Sequence, residues 1–464
     1  MTHPSRSLDE INSRIVASFP DTVETLKSLV RIPSVSWDGF PAEEVHRSAE
    51  FVAERVRALE IFEDVQIVTE PFANAPGYGQ PAVLARRDPA PGYPTVLLYA
   101  HHDVQPPGDA QIWESEPFEP VERDGRLYGR GAADDKAGVV VHLTALETIA
   151  KILGEDLNIG LALFIEGEEE FGSRSFTSIL DRHAAILNSD IIVVADSDNR
   201  SVDIPSLTVS LRGNVAFSLS VSTLEHASHS GMLGGAVPDA MMAATTLLAR
   251  LYNEDGSVAI AGLHTHDAPV PEFTRDELVH DSGLKDGVSD IGTGPILSRL
   301  WFQPAISITG IDAPTVQNAS NTLIPSVTVK ISVRIAPGQT SSDAFAHIEK
   351  HLRATVPWGA YLEFSHIDLG NSFLVDSSGS AATLELEALR DAWDGADPVK
   401  VGVGGSIPFV ADLVERFPNA QILITGVEDP LSRAHSPNES LSLTVFRRAI
   451  VAETLFLLRL NDRD

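Results

Sequence analysis

The chain contains no cysteine, which excludes disulfides, thiolate metal sites and a cysteine nucleophile. Any transition-metal site must therefore be built from His, Asp and Glu. Basic residues are scarce: 34 Lys and Arg stand against 65 Asp and Glu in 464 residues, a formal net charge of −31. Such a chain repels a phosphate backbone and an anionic bilayer, so neither nucleic acid nor membrane is an expected partner. No run of about 18 apolar residues stands out, so no membrane span is expected. The opening MTHPSRSLDEINSRIV has no apolar core of signal-peptide length, and the expected location is the cytoplasm. Internal repeats and low-complexity tracts are missing. So are the Gly-x-x-x-x-Gly-Lys-Ser/Thr and strand-linked Gly-x-Gly-x-x-Gly patterns of nucleotide sites, and the Gly-x-Ser-x-Gly elbow.

What is present is an ordinary globular composition, 43% hydrophobic and 21% charged. At roughly 100–200 residues per domain the length allows about two to four domains. Short, almost continuous apolar runs occur at TVLLYA (95–100), NIGLALFI (158–165), DIIVVA (190–195), KVGV (400–403) and QILIT (421–425). Runs of this kind suit strands of a parallel sheet buried on both faces. Between them Val45, Ala49, Val52, Val56 and Leu59 recur at helical spacing, as do Val141, Ala145, Ile149 and Leu153. A last helix is expected over 442–460. The layout is α/β, with a mostly parallel sheet and helices on both faces.

The middle of the chain alternates instead. Val215, Phe217, Leu219 and Val221, and later Val327, Val329, Ile331, Val333 and Ile335, are separated by small or polar residues. Period-two alternation gives a sheet with one buried face. Helices are expected after each strand, from near Pro238 and around Phe345, Ile348 and Leu352. We read 208–369 as an inserted α+β domain, with 1–207 and 370–464 forming one interrupted α/β domain. The stretch 253–300 reads as a surface excursion within the insert.

In open α/β sheets ligands bind beyond the carboxyl ends of the strands. His101, His102 and Asp103 follow the first run, Glu166, Glu168, Glu169 and Glu170 the second, and Asp196 and Asp198 the third. Gly404, Gly405 and Ser406 follow the fourth, and Glu428, Asp429 and His435 the fifth. Imidazole and carboxylate are good zinc ligands, and serve manganese or cobalt less selectively. One carboxylate can bridge two metals, and adjacent Glu169 and Glu170 offer one ligand and one free base.

The blocks YAHHDVQPPG (99–108), WESEPFEPVERDGRLYGRGAADDKAG (113–138), EGEEEFGS (166–173), HSGMLGG (229–235), GGSIP (404–408) and HSPNE (435–439) resemble, in order, those of the dinuclear zinc metallopeptidases. That family includes carnosinase-like cytosolic dipeptidases, glutamate carboxypeptidase and aminoacylase, and the dipeptidase branch is the most similar. The resemblance implies a catalytic domain interrupted by a lid and dimerisation domain, and two divalent metals per subunit, zinc first and manganese or cobalt next. It implies His101 and Asp196 on one metal, Glu170 and His435 on the other, and Asp134 bridging both, with a cis peptide after Asp134. Asp198 is the alternative to Asp196, which lies nine residues before Pro205, the family's spacing. Asp103 would orient His101, and Glu169 would be the catalytic base. His229 would reach a neighbouring subunit's site to stabilise the oxyanion. Arg334 would grip the substrate's terminal carboxylate, with Asn321, Thr322, Gly405 and Ser406 lining the pocket. The residues before GGSIP, VGV, lack the charge found there in some animal dipeptidases.

The function implied is a metal-dependent hydrolase cleaving the amide bond of dipeptides through a metal-bridging water activated by Glu169, working as a homodimer through the lid. An N-acyl-amino-acid deacylase or carboxypeptidase with the same centre is the alternative, and an inactive binding protein a remote one. His102, His226 and His347 read as hydrogen-bonded loop or surface residues. Glu439 and Asp135 read as supports for the ligand loops.

Overall fold

The computed structural model describes residues 8–462 other than 74, 376 and 405–407. They fall into two compact units. One takes the described residues of 1–209, 375–401 and 412–464, and the other those of 210–374 and 402–411. The insert is thus wider than 208–369 on its return side. Leu374 and Phe373 pair with Ser210 and Leu211, and the Arg212 guanidinium donates to the Gly404 carbonyl at 3.2 Å. Those bonds draw 370–374 and 402–411 to the second unit.

In the first unit the strands lie in the order Asp64–Val68, Ala82–Arg87, Gly160–Glu166, Thr95–His101, Ile191–Val194, Gln421–Ile424 and Ser206–Leu211. The central pairs are parallel, with Thr95 opposite Gly160, His101 opposite Glu166, Val96 opposite Ile191 and Gln421 opposite Ile191. Antiparallel pairs close both sides of this centre. Every residue of TVLLYAH and GLALFIE is buried. Burial of each Leu, Ile or Phe there contributes about 1.5–3 kcal/mol, which helps offset the cost of burying polar His101 and Glu166 at the strand ends.

Lys136–Leu153 packs against Thr95–His101 and against the helices Leu8–Val30 and Leu443–Asn461. By length and composition alone the segment Lys136–Asp156 is apolar enough to cross a membrane, a correction to the expectation that no such segment exists. Its Val139, Val140, Ala145, Leu146 and Ile149 are instead buried in the core of this unit. Ala42–Ala58 buries Val45, Ala49, Val52 and Val56, the expected stripe. The edge strand Asp64–Val68, its neighbour Ala82–Arg87 and the first helix were not anticipated.

The second unit carries a four-stranded antiparallel sheet in the order Ala305–Asp312, Ser326–Ile335, Gly213–Ser222 and Tyr361–Gly370. Along Gly213–Ser222 buried and half-exposed residues alternate without a break. Helices Ala240–Ala249 and Ser341–Thr355 cover the apolar face. Each starts at a capping side chain: Asp239 accepts from Met242 N at 2.7 Å, and Thr340 accepts from Asp343 N at 3.3 Å. Between 253 and 300 the chain forms the short helices Arg275–Ser282 and Ile296–Trp301.

Candidate metal centre

The first unit gathers its imidazoles and carboxylates where the parallel strands end. His101 is the last residue of its strand, and Asp196 lies two residues beyond Ile191–Val194. Glu169 and Glu170 sit on a single 3-10 turn just past Gly160–Glu166. Asp134 comes from the loop that leads into Lys136–Leu153, and His435 from the loop before Ser440–Ser442. The Asp134–Asp135 peptide is cis, and His435 has φ 60°. A non-glycine residue in the left-handed region is uncommon and carries strain.

Two triads result. Ligand atoms of His101, Asp134 and Asp196 lie within 4.8 Å of one another, and so do those of Asp134, Glu170 and His435. Asp134 belongs to both and presents a different oxygen to each. Its Oδ1 is 3.2 Å from His101 Nε2, and its Oδ2 is 2.9 Å from His435 Nε2. His101 Nε2 is 4.0 Å from Asp196 Oδ1, and His435 Nε2 is 3.2 Å from Glu170 Oε2.

The electrostatics call for cations. Burial, with neighbouring carboxylates, pushes Glu170 up to about 7 and Asp196 up to about 6. Burial pushes Glu169 well above the usual carboxylate range, and Asp196, Glu170 and Asp103 add to it. Hydrogen bonds to Asp134 and Glu170 push His435 up to about 11, so its imidazole holds a proton between two carboxylates. Unit charges about 4 Å apart interact by about 4 kcal/mol at an effective dielectric of 20. Four clustered carboxylates, Asp134, Glu169, Glu170 and Asp196, are therefore costly without positive charge. Two divalent cations would balance them, and the oxygen and imidazole donors suit zinc-type ions. The residues present fit a two-metal group.

The supports around this centre are equally specific. His101 Nδ1 lies 3.1 Å from the Asp103 carbonyl and 3.4 Å from the Asp103 carboxylate. With Nδ1–H donating there, Nε2 is left as the lone-pair donor. The closer partners of the Asp103 carboxylate are Ser36 Oγ at 2.6 Å and the backbone N–H groups of Glu169 and Glu170, each at 3.1 Å. Asp103 thus ties the turn of the two glutamates to the strand of His101. Gln105 Nε2 donates to Glu170 Oε2 at 2.7 Å, and Trp37 Nε1 donates to the Glu170 carbonyl at 3.1 Å. Ser36, Trp37 and Gln105 were not anticipated. Gln105 alone had a sequence signal, its place in the HHDVQPPG block.

Buried Glu439 accepts from Arg130 Nη1 and from the backbone N–H groups of Gly131, Ala133 and Asp134, at 2.6, 3.0, 2.9 and 3.2 Å. Asp135 accepts from His101 N at 3.1 Å. Glu166 and Glu168 are engaged elsewhere: Tyr99 Oη donates to Glu166 at 2.6 Å, and Ser175 N donates to Glu168 at 2.7 Å. Asp198 stands outside both triads and forms a backbone bridge with Glu428. Buried His102 bonds the Pro81 carbonyl at 2.9 Å, and burial lowers it to about 4.

In the second unit His229, Asn321 and Thr322 are neighbours. His229 pairs with Thr322 in a short ladder, and Ser230 N donates to the Asn321 carbonyl at 3.0 Å. The exposed His229 ring accepts from Gly231 N at 3.0 Å. Arg334 lies on the open, half-exposed face of Ser326–Ile335, and burial lowers it. Gly405 and Ser406 lie outside the described residues.

Residues 97–459 match the model of peptidase family M20/M25/M40, and the chain belongs to that family. It is an enzyme of the peptidase class. The chain is 34% identical over 380 residues to the cysteinylglycine-S-conjugate dipeptidase of Corynebacterium striatum, covering 81% of this chain and 83% of that protein. It is 27% identical over 460 residues to the Beta-Ala-His dipeptidase of Rattus norvegicus, covering 94% and 92%. The solved structure of the dipeptidase Dug1p from Saccharomyces cerevisiae shares the fold, with a TM-score of 0.80, 24% identity, and coverage of 99% of this chain and 100% of that one.

Proposed function

We propose that the protein is a metal-dependent dipeptidase whose centre is formed by His101, Asp134, Glu170, Asp196 and His435. The observation that carries the reading is the double presentation of Asp134, one oxygen to each triad. The similarity to two dipeptidases over most of the chain supports the substrate class. The ions are two divalent metals, zinc by preference for this donor set, with manganese or cobalt as substitutes.

When bound, the metals supply Lewis acidity and lower the pKa of water. The residues of the chain do the rest. Glu169, the carboxylate of the turn that belongs to neither triad, takes the proton of the attacking water and delivers it to the departing amine. Asp103 holds the Glu169 backbone and, through His101 Nδ1, the imidazole tautomer. Glu439 holds the backbone of Asp134. His229 donates to the oxyanion with Asn321 and Thr322 beside it, and Arg334 grips the substrate's terminal carboxylate. The second unit serves as lid and dimerisation domain, the role expected of 208–369. Its exposed Met232, Val316, Trp358 and Tyr361 are 81%, 97%, 56% and 78% accessible, apolar surface that a second copy would cover. The cytoplasm is the proposed location.

The test is a metal-loaded screen of dipeptides against N-acetyl and N-succinyl amino acids, each with and without a chelator. Chelator-sensitive cleavage of the dipeptides is expected. Cleavage of the N-acyl compounds alone would make the protein a deacylase, and no turnover of any amide with metals bound would make it a binding protein.

A further inference from the structure

His435 is the exposed member of its triad, and it stands on the loop between Gln421–Ile424 and Ser440–Ser442. Three non-glycine residues of this loop, Arg433, His435 and Asn438, have φ of 55°, 60° and 63°. Such conformations carry strain and persist only where the surroundings over-determine them. An exposed imidazole has little packing of its own, so its place is set by the loop and by whatever anchors the loop.

One guanidinium of the first unit holds both ends of the segment that carries His435. Arg126 Nη1 donates to the two oxygens of Asp429 at 3.1 and 2.9 Å. Its Nε donates to Ser440 Oγ at 2.8 Å and its Nη2 to the Ser440 carbonyl at 2.9 Å. Asp429 and Ser440 are buried, where a charge-assisted, bidentate contact is strong and geometrically specific. Arg126 is itself fixed by its strand, Arg126–Tyr128, which pairs with Ser440–Ser442. Inside the clasp Asp429 N donates to Ser432 Oγ at 3.0 Å, and Ser440 N donates to the Ser432 carbonyl at 2.8 Å. On the far side of His435, Asn438 accepts from Glu114 N at 2.8 Å, a tether that remains when the clasp is opened. Arg126 bonds none of the five candidate ligands. His101 and Asp196 need no such device, because they stand at or just beyond the ends of buried strands.

We infer that Arg126 is a positioning residue for one of the two metals: by clasping Asp429 to Ser440 it sets His435 against Asp134 and Glu170, and it acts on that site alone. The inference rests on the two-metal reading and goes beyond it by making one site depend on a clasped loop and the other on the sheet.

The experiment titrates the metal-free full chain with Zn²⁺ and follows the two binding steps by calorimetry. His435→Ala identifies the step of the Glu170 triad, and Asp196→Ala that of the His101 triad. Arg126→Gln should weaken the His435 step about 10–100-fold, the scale for groups that support a metal ligand, and leave the Asp196 step unchanged. Arg126→Lys should recover only part of the loss, since an ammonium lacks the planar fork that reaches both ends of the loop. In a His435→Ala background Arg126→Gln should cost no further affinity, a result that an effect through Glu439 and Asp134 would not give. If Arg126→Gln does not fold, Asp429→Asn and Ser440→Ala, each opening one end of the clasp, decide the matter by the same readout. Wild-type affinity at both steps in a folded variant overturns the inference and leaves the two-metal reading intact. So does an equal weakening of both steps. A wild-type chain that binds fewer than two Zn²⁺ overturns the reading and the inference together.

Discussion

Glu439→Gln keeps the size of the side chain and removes its charge and one acceptor oxygen. In the native arrangement Oε2 receives Arg130 Nη1 and Gly131 N, while Oε1 receives Ala133 N and Asp134 N. Whichever way the new amide sits, its NH₂ group faces two donors. Arg130, 1% exposed, also loses the one ion-pair partner it has among the described residues. Breaking one side of a buried ion pair costs about 3–5 kcal/mol, and each backbone N–H left unsatisfied adds about 1–3 kcal/mol. These terms overlap, so the expected loss is at least about 3 kcal/mol, against a total stability of typically 5–15 kcal/mol. Urea unfolding with an unchanged m-value measures it directly. Because Asp134 N is one of the four donors, metal affinity should fall in the same variant. A destabilisation below about 1 kcal/mol would refute the reasoning, since it would mean that Arg130 and the 131–134 backbone do not depend on this carboxylate. A companion Arg130→Met/Glu439→Leu variant, which removes both charges, should be less destabilised than the sum of its single changes.

Asp134→Ala should lose both metals rather than one, because each triad uses one of its oxygens; elemental analysis that still finds two ions per chain would refute the bridging role. Metal affinity should weaken as pH falls from about 7 to about 6, roughly tenfold per pH unit for each proton displaced. The sign follows from Glu170 and Asp196, which burial raises to about 7 and about 6 in the metal-free protein, and from His435, which its carboxylate partners raise to about 11, so that each takes up a proton a metal must displace. Calorimetric titration that finds a pH-independent affinity would contradict this. Glu385, buried on Ser380–Ala392, is pushed up to about 8 by burial and by Glu453. Its contribution to stability is present in full below its unfolded value, near 4.5, and is lost as pH rises through about 8. Glu385→Gln should therefore stabilise the protein at or above pH 8, by at most about 5 kcal/mol, and flatten its stability–pH curve; an unchanged curve would count against a neutral buried Glu385.

The central strands were legible because TVLLYA, NIGLALFI and DIIVVA are apolar on both faces, a pattern that only a covered sheet satisfies. Gly213–Ser222 and Ser326–Ile335 were legible for the opposite reason, their strict alternation. The first two strands of the sheet were not. The edge strand DVQIV is half exposed, and its neighbour AVLARR ends on two arginines, so neither shows a clean period. The sharing of the chain between units was misjudged at 402–411, because that assignment depends on Arg212 reaching Gly404 across 192 positions. At the candidate site His101, Glu170, Asp196 and His435 stood among the candidates because they follow strands, whereas Asp134, in the loop before Lys136–Leu153, and the choice among neighbouring residues came only from the family resemblance. The groups that hold them could not be found either way: Ser36 reaches Asp103 across 67 positions, and Trp37 reaches Glu170 across 133. A serine or tryptophan in a loop carries no mark of such a bond.

The central claim is that metal binding and proton transfer are divided among these side chains, with Glu169 reserved for the proton. Glu169→Ala tests it most directly when metal content and dipeptide turnover are measured on one preparation. The account predicts two metals per chain and a native fold with turnover nearly abolished, the loss of a general base being worth about 10²–10⁴-fold. Turnover at the wild-type rate would contradict it, and so would loss of a metal, which would make Glu169 a ligand.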